Sequence, residues 1–283
     1  MGEGLDAAVT LLWLAPGRVG GSEPYPTRQL AGLPVDAGIT PRLFCQRPFT
    51  DAHPELSGRY PTRVLPFDRD WRGARIVAEH TLLAAVARGA DVVHHGGGTA
   101  PLIGARPIVL TVHDLQYREH PQYFSRARLS YLRAAVPRSV RRAAVIATPS
   151  EFTRQAVVEA FAVAAERVVV VPHGVPEPPC LDVDTVAAVR HRFGIGARPF
   201  LVYPAITHPH KRHLVLLDML RELDPTTALV LTGGEGAAEQ DVMSAIAESG
   251  LGDRVARTGR VTDTERDALI VAAEALVFPS EYE

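Results

Sequence analysis

Short apolar runs rich in β-branched residues alternate with longer segments of helical period, and this alternation constrains the fold more than any other feature. It is the pattern of parallel strands joined by crossover helices, so an α/β fold is expected. Strands are read at residues 9–14, 42–45, 63–65, 91–94, 108–112, 145–148 and 168–171, with helices at 75–88, 126–142 and 150–161. These elements make a first Rossmann-like sheet.

The run Pro172-His173-Gly174-Val175-Pro176-Glu177-Pro178-Pro179 follows. Clustered prolines remove backbone donors and block helix, so this is the linker. A second alternation then begins, with helices at 182–193, 212–223, 235–249 and 263–274 and strands at 200–203, 228–232, 255–258 and 275–278. A chain of 283 residues, 46% of them hydrophobic, is long enough for two cores. The domains are therefore read as 1–175 and 176–283.

Leu216, Met219, Leu220 and Leu223 recur at helical spacing, as do Leu269, Ala272, Ala273 and Leu276, so each set defines one buried face. Thr262 followed three residues later by Glu265 is a capping-box signature for the last helix.

Thirty basic against 32 acidic residues give no overall field favouring nucleic acid, although a local basic patch is compatible with that balance. Cys45 and Cys180 form no CxxC pair, which argues against a zinc cluster or a disulfide framework. The apolar stretch 9–15 is too short to span a bilayer, and Met1-Gly2-Glu3-Gly4-Leu5-Asp6 is acidic where a signal peptide is basic. A cytoplasmic protein is expected, with peripheral contact at the inner face of the membrane left open.

Four segments at strand ends carry the chemistry. Gly20-Gly21-Ser22-Glu23 lets backbone N–H groups approach a phosphate at a helix N-terminus, or is simply a tight turn capped by Ser22. In Thr111-Val112-His113-Asp114-Leu115, an imidazole beside a carboxylate can orient a hydroxyl or accept a proton. The pattern alone favours the plainer reading, in which Asp114 caps a following helix. In His208-Pro209-His210-Lys211-Arg212-His213, a lysine opening a helix after a strand can neutralise a diphosphate. A metal reading of the three histidines is disfavoured, because a fourth ligand is lacking and Lys211 would repel a cation. Thr232-Gly233-Gly234-Glu235-Gly236 permits close approach of a nucleotide and is not a Walker loop. The glycines of His94-His95-Gly96-Gly97-Gly98-Thr99 could line the cleft or merely bend the chain, and the bend is the preferred reading.

In order and spacing these segments resemble the retaining glycosyltransferases of family four. The likeness rests on Gly20-Gly21-Ser22-Glu23, His113-Asp114-Leu115-Gln116-Tyr117 with Pro121 and Phe124-Ser125, Pro149-Ser150-Glu151-Phe152-Thr153, Val171-Pro172-His173-Gly174-Val175, Tyr203-Pro204-Ala205 running to Pro209-His210-Lys211, and Val277-Phe278-Pro279-Ser280-Glu281-Tyr282-Glu283.

The resemblance implies a GT-B fold, two Rossmann-like domains facing a cleft, with the second domain incomplete. It implies a nucleotide-sugar donor held mainly by the second domain and a glycan, lipid-linked or small-molecule acceptor held mainly by the first. Lys211 would bind the donor diphosphate, with Gly20 and Gly21 approaching it and Gly233 beside the nucleotide. His113 would lie against the transferred sugar or the acceptor hydroxyl. Arg260 and Val261 would pack the nucleobase, and Glu283 would be the first of two carboxylates that hold the donor. No cofactor or metal is expected beyond the nucleotide-diphosphate sugar as co-substrate, and no nucleic-acid partner. The segments around Tyr203 and Lys211 favour a mannose-like or other hexosyl donor.

Three departures stand out. The arginine usual five residues before the lysine is Ile206 here, Pro24 and Pro26 interrupt a segment normally helical, and the second carboxylate does not follow Glu283. The chain is therefore read as a fragment. An inactive remnant and a sugar-nucleotide epimerase or phosphorylase are the competing readings.

Overall fold

The computed structural model describes residues 4–16, 22–65, 77, 87, 89–101, 107–175, 177 and 179–282. The expected helix at 75–88 falls almost wholly outside them, as do Gly20, Gly21 and Glu283. The chain divides into two compact units, Met1–Val175 and Pro176–Glu283.

In the first unit the described strands are β1 (Leu5–Thr10), β2 (Ile39–Cys45), β3 (Thr62–Val64), β4 (Val92–His95), β5 (Ile108–Thr111), β6 (Val145–Thr148) and β7 (Val168–Val170). They pair in parallel in the order β3-β2-β1-β4-β5-β6-β7. The order reverses between β1 and β4, so a crevice opens beyond the carboxyl ends of those two strands. β1 lies earlier than its apolar run suggests. Leu11, Leu12 and Leu14 are buried, but Leu14 N–H turns back to the Leu11 carbonyl at 3.1 Å, so burial there belongs to a turn and not to a strand.

The helices of this unit are α1 (Pro24–Gly32), α2 (Arg47–Ala52), α3 (Pro54–Arg59), α4 (Gln116–Glu119), α5 (Arg126–Arg142) and α6 (Glu151–Phe161). Pro24 and Pro26 do not break α1. Both lie in its first turn, where backbone N–H groups have no intrahelical acceptor to lose. The residue capping α1 is Glu23, with no side-chain hydrogen bond, so Ser22 is not its cap. α5 begins at Ser125, whose hydroxyl accepts from Arg128 N–H, and α6 at Ser150, whose hydroxyl accepts from Thr153 N–H.

The second unit holds β8 (Phe200–Pro204), β9 (Ala228–Thr232), β10 (Val255–Gly259) and β11 (Ala275–Leu276), with α7 (Val183–Arg192), α8 (His213–Glu222), α9 (Glu239–Glu248) and α10 (Asp263–Ala272). The sheet is parallel, in the order β10-β9-β8-β11, and reverses between β8 and β11. Leu216 and Leu220 of α8 and Leu269 of α10 are buried, as their periodicity requires. Leu223 and Leu276 are not, because both helices end before them. Thr262 and Glu265 form the full reciprocal capping box. α9 starts four residues later than its pattern predicts, because Gly236 and Ala238 are engaged with Thr207.

Candidate functional site

In each unit the candidate residues lie mainly on loops beyond the carboxyl ends of the parallel strands. In the second unit, the loop after β8 forms a tight turn, Pro209–Lys211, and Arg212 takes a left-handed backbone (φ 52°) before α8 begins. Lys211 therefore closes a turn and does not open the helix. Its N–H donates to the His208 carbonyl at 2.9 Å, and its own carbonyl accepts the Tyr203 hydroxyl at 3.0 Å. The same hydroxyl lies 2.9 Å from Ser280 Oγ, and Glu281 N–H donates to the His210 carbonyl at 2.8 Å. The segment after β11 is thus stitched to the lysine loop after β8. Lys211 is the only lysine in the sequence.

A second network fixes the floor of this loop. Arg257 of β10 is nearly buried; its guanidinium reaches both Glu239 oxygens at 3.1 and 2.9 Å and the Gly233 carbonyl at 2.9 Å. Thr207 donates to Glu239 and accepts from Gly236 N–H at 2.7 Å. The Arg257 hydrogen bond holds the Glu239 carboxyl below its usual range, against a smaller opposing effect of burial. The glycines are explained by this packing. A Cβ on Gly233 would stand 2.3 Å from the Ala205 carbonyl oxygen, at a φ of 136°, and one on Gly236 2.5 Å from that of Thr207. Arg260 lies over the same loop, its guanidinium 3.2 Å from where a Gly234 Cβ would sit, and half-buried Val261 follows it.

The histidines around Lys211 do not converge. The rings of His208 and His210 stack at 5.7 Å, while His213 is buried against Tyr203 and its pKa is pushed down to about 4, first by burial and then by Arg257. Among the described residues no three His, Cys, Asp or Glu side chains are grouped to hold a metal ion.

In the first unit, His113 follows β5 and sits between two aromatic rings, Trp13 at 5.7 Å and the edge of Tyr25 at 5.2 Å. Its Nε2–H donates to the Gly96 carbonyl at 2.9 Å. Burial lowers its pKa, opposed by that hydrogen bond and by Asp114. A neutral imidazole that donates from Nε2 carries its lone pair on Nδ1, so His113 is set as an acceptor there. Asp114 takes the plainer role, its carboxylate accepting from Gln116 N–H at 2.9 Å ahead of α4.

Sequence reasoning did not single out Trp13 or Tyr25. Trp13 packs closely against Gly96 and Gly97, where a Cβ on Gly97 would meet its Cγ at 2.6 Å. The glycines after β4 thus make room for an indole beside His113. Tyr25 is anchored through its hydroxyl to the Val171 carbonyl at 2.9 Å and meets His173 edge-on, with ring centroids 4.7 Å apart. Glu23 is paired with His53 at 2.9 Å.

Two parallel α/β units, each with polar loops at its switch point, form the fold of the GT-B glycosyltransferases. An Anabaena protein, HepE, solved with UDP and glucose, superimposes with a TM-score of 0.72 at 20% identity, over 98% of this chain and 74% of that one. Residues 19–177 match the domain called Glycosyltransferase Family 4, and the chain belongs to that family. It is 27% identical over 205 residues to the O-antigen chain mannosyltransferase B of Escherichia coli, covering 68% of this chain and 52% of that protein. It is 27% identical over 184 residues to the alpha-D-kanosaminyltransferase of Streptomyces kanamyceticus, covering 62% and 47%. The chain spans about half the length of these two relatives. Among the described residues no helix is long and apolar enough to cross a membrane.

Proposed function

We propose that this protein is a retaining glycosyltransferase that moves a hexose, mannose-like, from a nucleoside diphosphate sugar to a hydroxyl of a glycan, a lipid or a small molecule. The observation that carries the reading is the Lys211 turn, pinned through Tyr203 and Ser280 at the switch point of the second unit. A compact cation held there offsets the charge that builds on a departing diphosphate. The relatives' names support the donor class: a mannosyltransferase, a kanosaminyltransferase, and a neighbour holding UDP and glucose.

In this reading the bond from the anomeric carbon to the diphosphate breaks, and the acceptor oxygen bonds to the same face. The acceptor proton passes to the leaving diphosphate. Lys211 stabilises that leaving group, Gly20 and Gly21 approach it, and the Gly233 loop, Arg260 and Val261 hold the nucleotide. His113 accepts a hydrogen bond from a hydroxyl of the sugar or the acceptor through Nδ1, and Glu283 holds the donor sugar. The reaction as drawn needs no metal or other cofactor.

Transfer of a radiolabelled hexose from GDP- or UDP-sugars to glycan, lipid and small-molecule acceptors tests the reading on the full-length protein. Labelled product with an α-linkage retained from the donor is expected. Donor consumption without transfer would point to an epimerase or phosphorylase, and no consumption with any donor to an inactive remnant.

A further inference from the structure

We propose that Tyr25 is a positioning residue that ties the seating of the His113 imidazole to the conformation of residues 172–174, where the chain leaves the first unit. The role rests on the reading of His113 as a residue of the transfer site. One buried ring makes the connection. Tyr25 is 2% exposed and meets two imidazoles edge-to-face: His113, with centroids 5.2 Å apart and an interplanar angle of 82°, and His173, at 4.7 Å and 63°.

The ring has a fixed pivot. Its hydroxyl donates to the Val171 carbonyl at 2.9 Å, and Val171 N–H is itself held by the Thr148 carbonyl at 2.7 Å, at the end of β6. Beyond Val171 the chain is exposed, and α1 reaches it a second time through Arg28, which donates to the Gly174 carbonyl at 3.0 Å. His173 therefore stands between two points at which α1 grips the segment, with its ring against Tyr25.

Local sequence does not favour this placement. Tyr25 lies inside α1 and directly before Pro26, and a residue before proline is disfavoured in a helix because the proline ring crowds its backbone. Burial and the Val171 bond hold it there. Pro24 fixes its own backbone angle one residue earlier, so the turn that carries the ring has little freedom to absorb a push.

His113 has as little room. Trp13 stands against it at 5.7 Å, and its Nε2–H is held by the Gly96 carbonyl. His173 is near enough that a charge on it disfavours one on His113. A displacement of the His173 ring is thus passed through Tyr25 to the imidazole, because close-packed rings move together. For a transferase the consequence is that His113 presents Nδ1 to a hydroxyl in its set geometry only while residues 172–174 are seated.

The test is imidazole nitrogen NMR of the full chain at pH 8, where both histidines are neutral, with signals assigned from His113→Gln and His173→Gln. Pro172→Gly loosens the exposed backbone of the segment, and Arg28→Leu frees Gly174; each is expected to shift the His113 signals. That response is expected to persist in Tyr25→Phe, which keeps the ring, and to vanish in Tyr25→Leu and in His173→Gln. Thermal melts check folding, and His173→Gln, at an exposed position, carries the test should Tyr25→Leu not fold. His113 signals unmoved by both segment variants would overturn the proposal, as would a response lost in Tyr25→Phe or undiminished in His173→Gln. These signals need no donor or acceptor, so a chain unable to transfer sugar would count against the transferase reading and leave this result standing.

Discussion

Tyr203 and Ser280 lie 77 residues apart in sequence, yet their hydroxyl oxygens meet at 2.9 Å, and the Tyr203 hydroxyl also holds the Lys211 carbonyl. One phenol thus joins the loops on the two strands that flank the switch point of the second unit. Tyr203→Phe keeps the buried ring and removes both bonds. A loss of about 1–2 kcal/mol is expected in denaturant melts, at the usual worth of each hydrogen bond. Nucleotide affinity is expected to fall further than stability predicts, because the Lys211 turn loses its anchor. An unchanged dissociation constant in this variant would show that the turn is held by other contacts.

The Arg257–Glu239 pair makes a different demand. Arg257→Ala leaves a half-enclosed carboxylate and several loop carbonyls without their donor. Chemical denaturation is expected to register a loss of about 3 kcal/mol. Glu239→Gln, which keeps the shape and the Thr207 contact, is expected to cost distinctly less. Equal losses would place the cost in the missing side-chain volume and not in the stranded charge.

Beside His113, the space between Trp13 and Gly97 is already filled. Gly97→Ala puts a methyl group 2.6 Å from the indole Cγ, so one of them has to move. A cost of about 1–3 kcal/mol follows from overpacking. The shift is expected to reach His113, seen as a change in the imidazole nitrogen signals that report its Nε2–H tautomer. A stable Gly97→Ala protein with unaltered signals would mean that Trp13 does not set the imidazole.

Acid sensitivity has a stated origin. Burial holds His94 and His213 neutral, with pKa values of about 4, against about 6.5 when unfolded. Below 6.5 the unfolded chain binds protons that the folded one refuses, so the stability present above that pH is lost as pH falls towards 4. The slope is about 1.4 kcal/mol per pH unit for each histidine in that window. Melts at pH 7.5, 6.5, 5.5 and 4.5 should be level above 6.5 and fall below it; a flat profile throughout would contradict the account.

Much of this was legible in the sequence, for identifiable reasons. β6 and β9 stand where they were read because each is an apolar stretch bounded by polar turns, and helix α5 because a capping serine precedes its run. The strand assigned to residues 9–14 was displaced, since Leu11 to Leu14 are as buried as a strand while forming a turn. α2 and α3 were missed because helices of six residues are too short to show a period. At the site, His113 and Lys211 were visible as polar residues after apolar strands. Trp13 and Tyr25 were not, because their value lies in a packing partner far along the chain. The glycine run at 96–98 was a local hint, but a bend explains glycines as readily as an aromatic neighbour does. The absence of any other lysine was a signal for Lys211 that composition already held.

That single lysine allows the most direct test of the central claim, that the Lys211 turn holds the diphosphate of a nucleotide sugar. The chain is treated with an amine-reactive reagent at rising concentrations of GDP and UDP, and modification of Lys211 is read by peptide mass, with the α-amino group as internal reference. Protection of Lys211 that saturates with one nucleotide, while the α-amino group is modified as before, is the predicted result. Modification of Lys211 unaffected by either nucleotide, together with nucleotide binding unchanged in Lys211→Ala, would contradict it.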